Sequence, residues 1–179
     1  PLWEGRTVPA NYNPTQIPAG QRRPSLQTEL WYLSVAHAYQ GVVDFVEMAA
    51  IPARRAGIPT GVVFFPGGNR RIGQGFDSRL QPWDRFNPQM EWHPMVYGIC
   101  GHTGCITDEV LEVFNVAPRG TGVYPVIAGT WGEAMRDRPA LDVQMQAIQR
   151  AAPGTPGMSH FAYSWQDPEF DRVRKFCRN

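Results

Sequence analysis

Cysteine is scarce in this chain, with three among 179 residues, too few for a disulfide scaffold to hold the fold. Charge of one sign is lacking too: 17 basic against 16 acidic side chains leave a net charge of +1. No lysine–arginine run exceeds the pairs Arg22-Arg23 and Arg70-Arg71. A nucleic acid or an anionic membrane surface therefore has no electrostatic footprint to meet, and neither is expected as a partner. No stretch approaches the roughly 20 apolar residues that cross a bilayer. The amino end, Pro1-Leu-Trp-Glu-Gly, has neither an initiator Met nor a basic-then-apolar export pattern, so the chain reads as a piece of a longer one.

What is present is 42% hydrophobic residues, enough for one sizeable core. The apolar content is concentrated in four short runs about thirty residues apart: Gly61-Val-Val-Phe-Phe-Pro66, Trp92-His-Pro-Met-Val-Tyr97, Val123-Tyr-Pro-Val-Ile-Ala128 and Met158-Ser-His-Phe-Ala-Tyr-Ser164. Helical spacing fills much of the chain between and around them. A parallel strand is reached only through a crossover of a dozen or more residues, so this period predicts parallel β/α units.

Residues 1–24 show no period and are expected to be an irregular arm. A long helix follows from Ser25 to about Ala50, with apolar lines Leu26, Leu30, Leu33 and Val35, Tyr39, Val42, Val46. Ser25 is its expected N-cap, Gly41 an expected bend, and Ile51-Pro52 the expected stop. A helix is predicted from Thr107-Asp-Glu109, burying Ile106, Val110, Val113 and Phe114. Another starts at Pro139 with Leu141, Met145, Ile148 and Ala152 inward, and a last one opens at Asp167-Pro168. Residues 71–90 read as a long loop steadied by Trp83 and Phe86.

Taken together, Phe65-Pro-Gly67, Trp83-Asp84, Pro94-Met-Val-Tyr97, Ile127-Ala-Gly-Thr-Trp-Gly132 and Gly157-Met-Ser-His-Phe161 resemble, in order and spacing, the carboxy-terminal half of the glycoside-hydrolase-like family ten group. The resemblance covers roughly residues 60–166. It implies a parallel α/β fold with residues 25–179 forming the second half of a (β/α)8 (TIM) barrel, whose first half would be the missing partner. It also implies a carbohydrate substrate, a glycosidase-like hydrolase, and an extracellular or periplasmic location. It transfers no pair of catalytic acids.

Glycoside hydrolysis needs two carboxyl groups flanking the scissile bond, and a parallel barrel presents its chemistry at the carboxyl ends of the strands. Glu133, directly after Gly129-Thr-Trp-Gly132, is the best-placed acid, and Asp84 on the long loop is the second candidate. Asp167 is accounted for as a helix cap, and Glu91 precedes its strand. Aromatic rings cover the apolar faces of sugars, and Tyr97, Trp131 and Trp165 stand at strand ends. Asn69 and Arg70, after the glycine turn of the first strand, complete the expected substrate-binding set. Strand alternation puts His93, Met95 and Tyr97 on one side, the expected inward one, and Trp92, Pro94 and Val96 on the other. His160 is expected to be a buried, hydrogen-bonded histidine, and His37 a packing or surface one.

Cys100 and Cys105 flank Gly-His-Thr-Gly, which leaves three readings: two ordinary thiols, a local disulfide, or a zinc site with His102. The last lacks the second ligand pair of a closed tetrahedral site, so no metal and no cofactor are expected. The alternatives to an enzyme are a non-catalytic carbohydrate-binding or envelope-associated protein, and a structural half-barrel that needs the rest of its chain.

Overall fold

The computed structural model describes residues 26–69, 79–98, 100–129 and 138–161, with side chains from Leu33 onward. The predicted helix at Asp167-Pro168 lies outside them. The described residues form two compact units, one from 26–60, 67–69 and 79–87, the other from 61–66, 88–98, 100–129 and 138–161.

The first unit is built around α1, Leu26–Arg55. Val35 and Tyr39 are buried, which makes their line the packed one, whereas Leu33, Phe45 and Met48 are exposed. The helix runs through Gly41 and passes Pro52, contrary to the expected stop. It ends instead on a backbone device. Gly57 adopts φ 71°, Ile58 N–H donates to Ala53 O at 2.9 Å, and Gly57 N–H donates to Arg54 O at 3.0 Å. This reversal satisfies carbonyls that would otherwise be orphaned, and it needs a residue without a Cβ at the left-handed position. Proline in a helix removes one N–H, yet termination here waits for the glycine. Further along, Trp83 and Phe86 are buried, and a 3-10 turn, Trp83–Arg85, carries Asp84 on its exposed side.

The second unit holds β1 (Gly61–Phe64), β2 (Glu91–Pro94), α2 (Gly104–Val116), β3 (Val126–Ala128), α3 (Leu141–Ala151) and β4 (Ser159–Phe161). Both strand pairs are parallel, with Gly61 opposite Glu91 in the first and Val126 opposite Ser159 in the second.

The expected half of a (β/α)8 barrel does not form. Among the described residues there are two separate two-stranded parallel sheets of three- and four-residue strands, giving a small mixed α/β fold. Only single parallel bridges, Trp92 to Val123 and Met95 to Val126, join β2 to the region of β3. Pro94 and Pro125 stand between those bridges, and neither has an N–H to contribute, so a continuous ladder is interrupted where it would have to propagate. The strand–helix repeat fails as well: the described part of the β1–β2 connection contains 3-10 turns and no α-helix. With the half-barrel goes the expectation of a missing barrel half as partner.

Alternation along β2 reverses the expected orientation: Trp92, Pro94 and Val96 are buried, while His93, Met95 and Tyr97 stay partly exposed, as does Glu91, which begins the strand rather than preceding it. Val96, Ile106, Val110, Ile127, Ile148 and Ala152 form the core cluster between strands and crossover helices. Phe64 meets Trp92 edge-on at 6.0 Å. In α2 the buried positions Ile106, Val110 and Val113 are those the sequence pattern predicts, although the helix starts at Gly104, earlier than expected.

In α3 the pattern is corrected. Met145 is 41% exposed, and Gln144 is fully buried in the place the apolar stripe would assign to it. Its Nε2 donates to Ala128 O at 2.9 Å and to Pro139 O at 2.6 Å. Two carbonyls near the end of β3 and the start of α3 are thereby satisfied by one side chain, which an apolar residue would leave bare. Among the described residues no helix is long and apolar enough to cross a membrane.

Truncation separates the two α3 positions. Ile148→Ala should lower unfolding free energy by about 2–5 kcal/mol, as expected for a buried aliphatic, and Met145→Ala by well under half as much. Urea denaturation followed by circular dichroism measures both, and equal losses would contradict the assigned orientation of α3.

Candidate functional site

Parallel strands deliver their following residues to one end, and in the second unit those residues are Phe65 after β1, Tyr97 after β2 and Arg138 in the connection from β3 to α3. Tyr97 and Phe65 meet edge-to-face, ring centroids 6.1 Å apart and planes at 86°. This geometry sets the positive edge of one ring against the negative face of the other. Both rings remain partly exposed. Arg138 places its guanidinium carbon 5.9 Å from the Tyr97 ring centroid and donates from Nη2 to the Tyr97 carbonyl. It is 5% exposed, an unusual condition for an arginine.

A buried guanidinium needs compensation. Burial lowers the Arg138 pKa below its ordinary value, and the negative charge of Glu109, followed by that of the Tyr97 phenol once ionised, pulls it back up. Glu109 also accepts the Gly98 N–H through Oε2 at 3.0 Å. One carboxylate of α2 thus anchors the backbone just past Tyr97 and neutralises the cation beside it. The helix predicted from Thr107-Asp-Glu109 puts Glu109 in its first turn. Because α2 begins three residues before Thr107, Glu109 is one turn further in and turns toward the strand end instead.

Gly98 fits tightly here. A Cβ at this position would lie 3.1 Å from Cys105 Cβ and 3.2 Å from the Cys105 backbone. The chain leaving Tyr97 therefore passes against the first turn of α2, where Cys105 is bonded to Cys100. Of the three readings of these cysteines the disulfide is the one formed, and no group of three or more metal-ligating side chains occurs among the described residues.

At the opposite, amino-terminal end of β2, Glu91 Oε2 lies 3.2 Å from His93 Nε2, and the His93 ring stacks on Tyr124 at 5.3 Å. His160 departs from expectation: it is partly exposed, and its buried Nδ1 has no hydrogen-bond partner among the described residues. His37 is exposed on α1.

Of the expected site residues, Tyr97 alone can be placed in this cluster. Asn69 and Asp84 belong to the first unit, where Gly68 O accepts the Gln81 N–H at 3.0 Å and ties the two turns that carry them. Arg70, Trp131, Glu133 and Trp165 lie outside the described residues. Phe65, Glu109 and Arg138 were not singled out as site residues. The signal for Phe65 was available, since it ends the first strand as Tyr97 ends the second. Nothing local marks Arg138, whose partner Tyr97 is 41 residues away. Compared with protein-family models, curated proteins and solved structures, the chain matches none.

Burial raises the Tyr97 pKa above 10.0, and the positive charge of Arg138 lowers it against that effect. The folded state then holds the phenolic proton to higher pH than the unfolded chain, so the stability associated with neutral Tyr97 is complete below pH 10 and declines as pH rises through the raised pKa. A difference ultraviolet titration of the protein against Tyr97→Phe isolates this one phenol among six tyrosines. Arg138→Met should move its midpoint higher still, and a downward move would exclude Arg138 as the opposing charge.

Proposed function

We propose that the protein recognises a glycan at the carboxyl ends of its parallel strands, with Tyr97 as the principal platform and Phe65 beside it. The observation that supports this most is the pairing of two partly exposed aromatic rings, edge-to-face, over a buried arginine and its carboxylate. An aromatic face covers the C–H side of a pyranose, and the edge contact with Phe65 holds the Tyr97 ring in one orientation before the sugar arrives. Preorganisation of that kind lowers the cost of binding. The reading belongs with the ordered motif set that resembles the glycoside-hydrolase-like group, which would place the glycan in the cell envelope or outside the cell.

Hydrolysis is the finer part of the proposal. It assigns the acid to Glu133, which follows the Thr-Trp-Gly sequence after β3, with Trp131 and Trp165 extending the platform. Asp84 and Asn69 belong to the other unit and are not assigned to this platform, and neither is Arg70, which lies outside the described residues. If Glu133 does not operate as an acid, the same aromatic platform makes a non-catalytic glycan-binding protein.

A polysaccharide panel tests both levels. Isothermal titration should find a binding glycan whose affinity falls about two- to tenfold in Tyr97→Ala, the range of about 0.5–1.5 kcal/mol for an aromatic contact beyond its area. Unchanged affinity in that variant, with its fold intact by circular dichroism, removes Tyr97 from the site. On the same glycan, Glu133→Gln should abolish release of reducing ends while leaving binding unchanged. Retained turnover in Glu133→Gln would reject its role, and binding without any turnover in the unaltered protein selects the non-catalytic reading.

A further inference from the structure

The loop that leaves Tyr97 is closed by a six-residue ring, Cys100-Gly-His-Thr-Gly-Cys105, and its two sulfurs have unlike surroundings. Cys100 is exposed and Cys105 partly so. The Cys105 N–H, in the first turn of the 13-residue α2, points at Cys100 Sγ at 3.3 Å. His102 Nδ1 lies 3.5 Å from the same sulfur and accepts the Gly104 N–H at 3.0 Å, which leaves that nitrogen unprotonated in the neutral ring. The His102 carbonyl is close to both sulfurs, 3.4 Å from Cys100 and 3.8 Å from Cys105, so it does not favour one as an anion over the other by much. The N–H donor and the imidazole are contacts of Cys100. A backbone N–H and the positive end of a helix stabilise a thiolate, and a stabilised thiolate leaves faster in thiol–disulfide exchange.

We propose that Cys100–Cys105 is a thiol–disulfide exchange site, reduced by a dithiol that attacks Cys105 Sγ and expels Cys100 as the thiolate. In the first step the reductant thiolate forms a bond to Cys105 Sγ while the bond between the two protein sulfurs breaks, and its electron pair stays on Cys100. In the second, the other sulfur of the reductant, deprotonated, attacks its own partner in the mixed disulfide and releases Cys105. Two electrons and two protons pass from the dithiol to the protein, and the dithiol becomes a disulfide. The Cys105 N–H is positioned to hold the departing Cys100 anion, which then takes up one of the two protons, and in the reverse, oxidising direction His102 Nδ1 is positioned to take that proton from the Cys100 thiol. Opening the ring frees the chain between Gly98 and α2, next to Tyr97, so the redox state reaches the strand end whether or not a glycan binds there.

Native protein, without denaturant, is treated with dithiothreitol, quenched with iodoacetamide and read by peptide mass spectrometry, in which Cys177 reports separately. Both ring cysteines should become alkylated under conditions that leave the circular dichroism unchanged. With glutathione, a monothiol that stalls at the mixed disulfide, the trapped adduct should lie on Cys105, with Cys100 alkylated in the same molecules. His102→Ala should slow reclosure of the reduced ring by oxidised glutathione severalfold relative to the unaltered chain. A disulfide that opens only after unfolding, or an adduct carried by Cys100, overturns the proposal. The position of the adduct is read on the unaltered chain, so the test stands even if the His102 variant folds poorly.

Discussion

Burial of one side of the parallel strands against their crossover helices is the constraint on which the second unit depends. Trp92, Pro94 and Val96 face inward with Ile106, Val110, Ile127 and Ile148, and that choice leaves His93, Met95 and Tyr97 on the other side. Side chains alternate with period two, so a slip of one residue would exchange the two sets and bury the polar one. The fold thereby presents Tyr97 rather than spending it in the core. Gln144 belongs to the same constraint, because its amide closes the carbonyls where β3 ends and α3 begins.

The strand end gathers interactions that depend on one another. Burial disfavours the charge of Arg138 and the negative charge of Glu109 favours it, and Glu109 comes from a helix whose first turn is pressed against Gly98. The disulfide closes the loop that sets where that helix starts. A cation, a carboxylate, two aromatic rings and a disulfide-closed ring thus gather around Tyr97 and Gly98. The proposed glycan platform and the proposed exchange site meet in that stretch.

Much of the local structure was legible before any coordinates. Three of the four strands fall inside the apolar runs read from the sequence and β2 starts one residue before its run, at Glu91; their pairing is parallel, and the buried line of α2 is the one its spacing predicts. Where reading failed, a single atom or a distant partner decided. Pro52 did not stop α1 because the reversal at Gly57 satisfies the last carbonyls. Gln144 took an apolar position because its Nε2 donates to two carbonyls, although its buried Oε1 has no hydrogen-bond partner among the described residues. The barrel was wrong because prolines 94 and 125 interrupt the ladder between the sheets, a consequence visible only once the two residues are known to stand side by side.

The sequence by itself determined nearly where the described strands and helices lie and the buried line of α2, since period and turn chemistry act over a few residues. Tertiary structure alone decided how far the sheets extend, which sulfurs are joined, and that Arg138 lies beneath Tyr97 with Glu109 as its counter-charge. Those outcomes rest on pairs far apart in the chain, and the energy of a buried charge or an interrupted ladder exists only after the partners have been brought together.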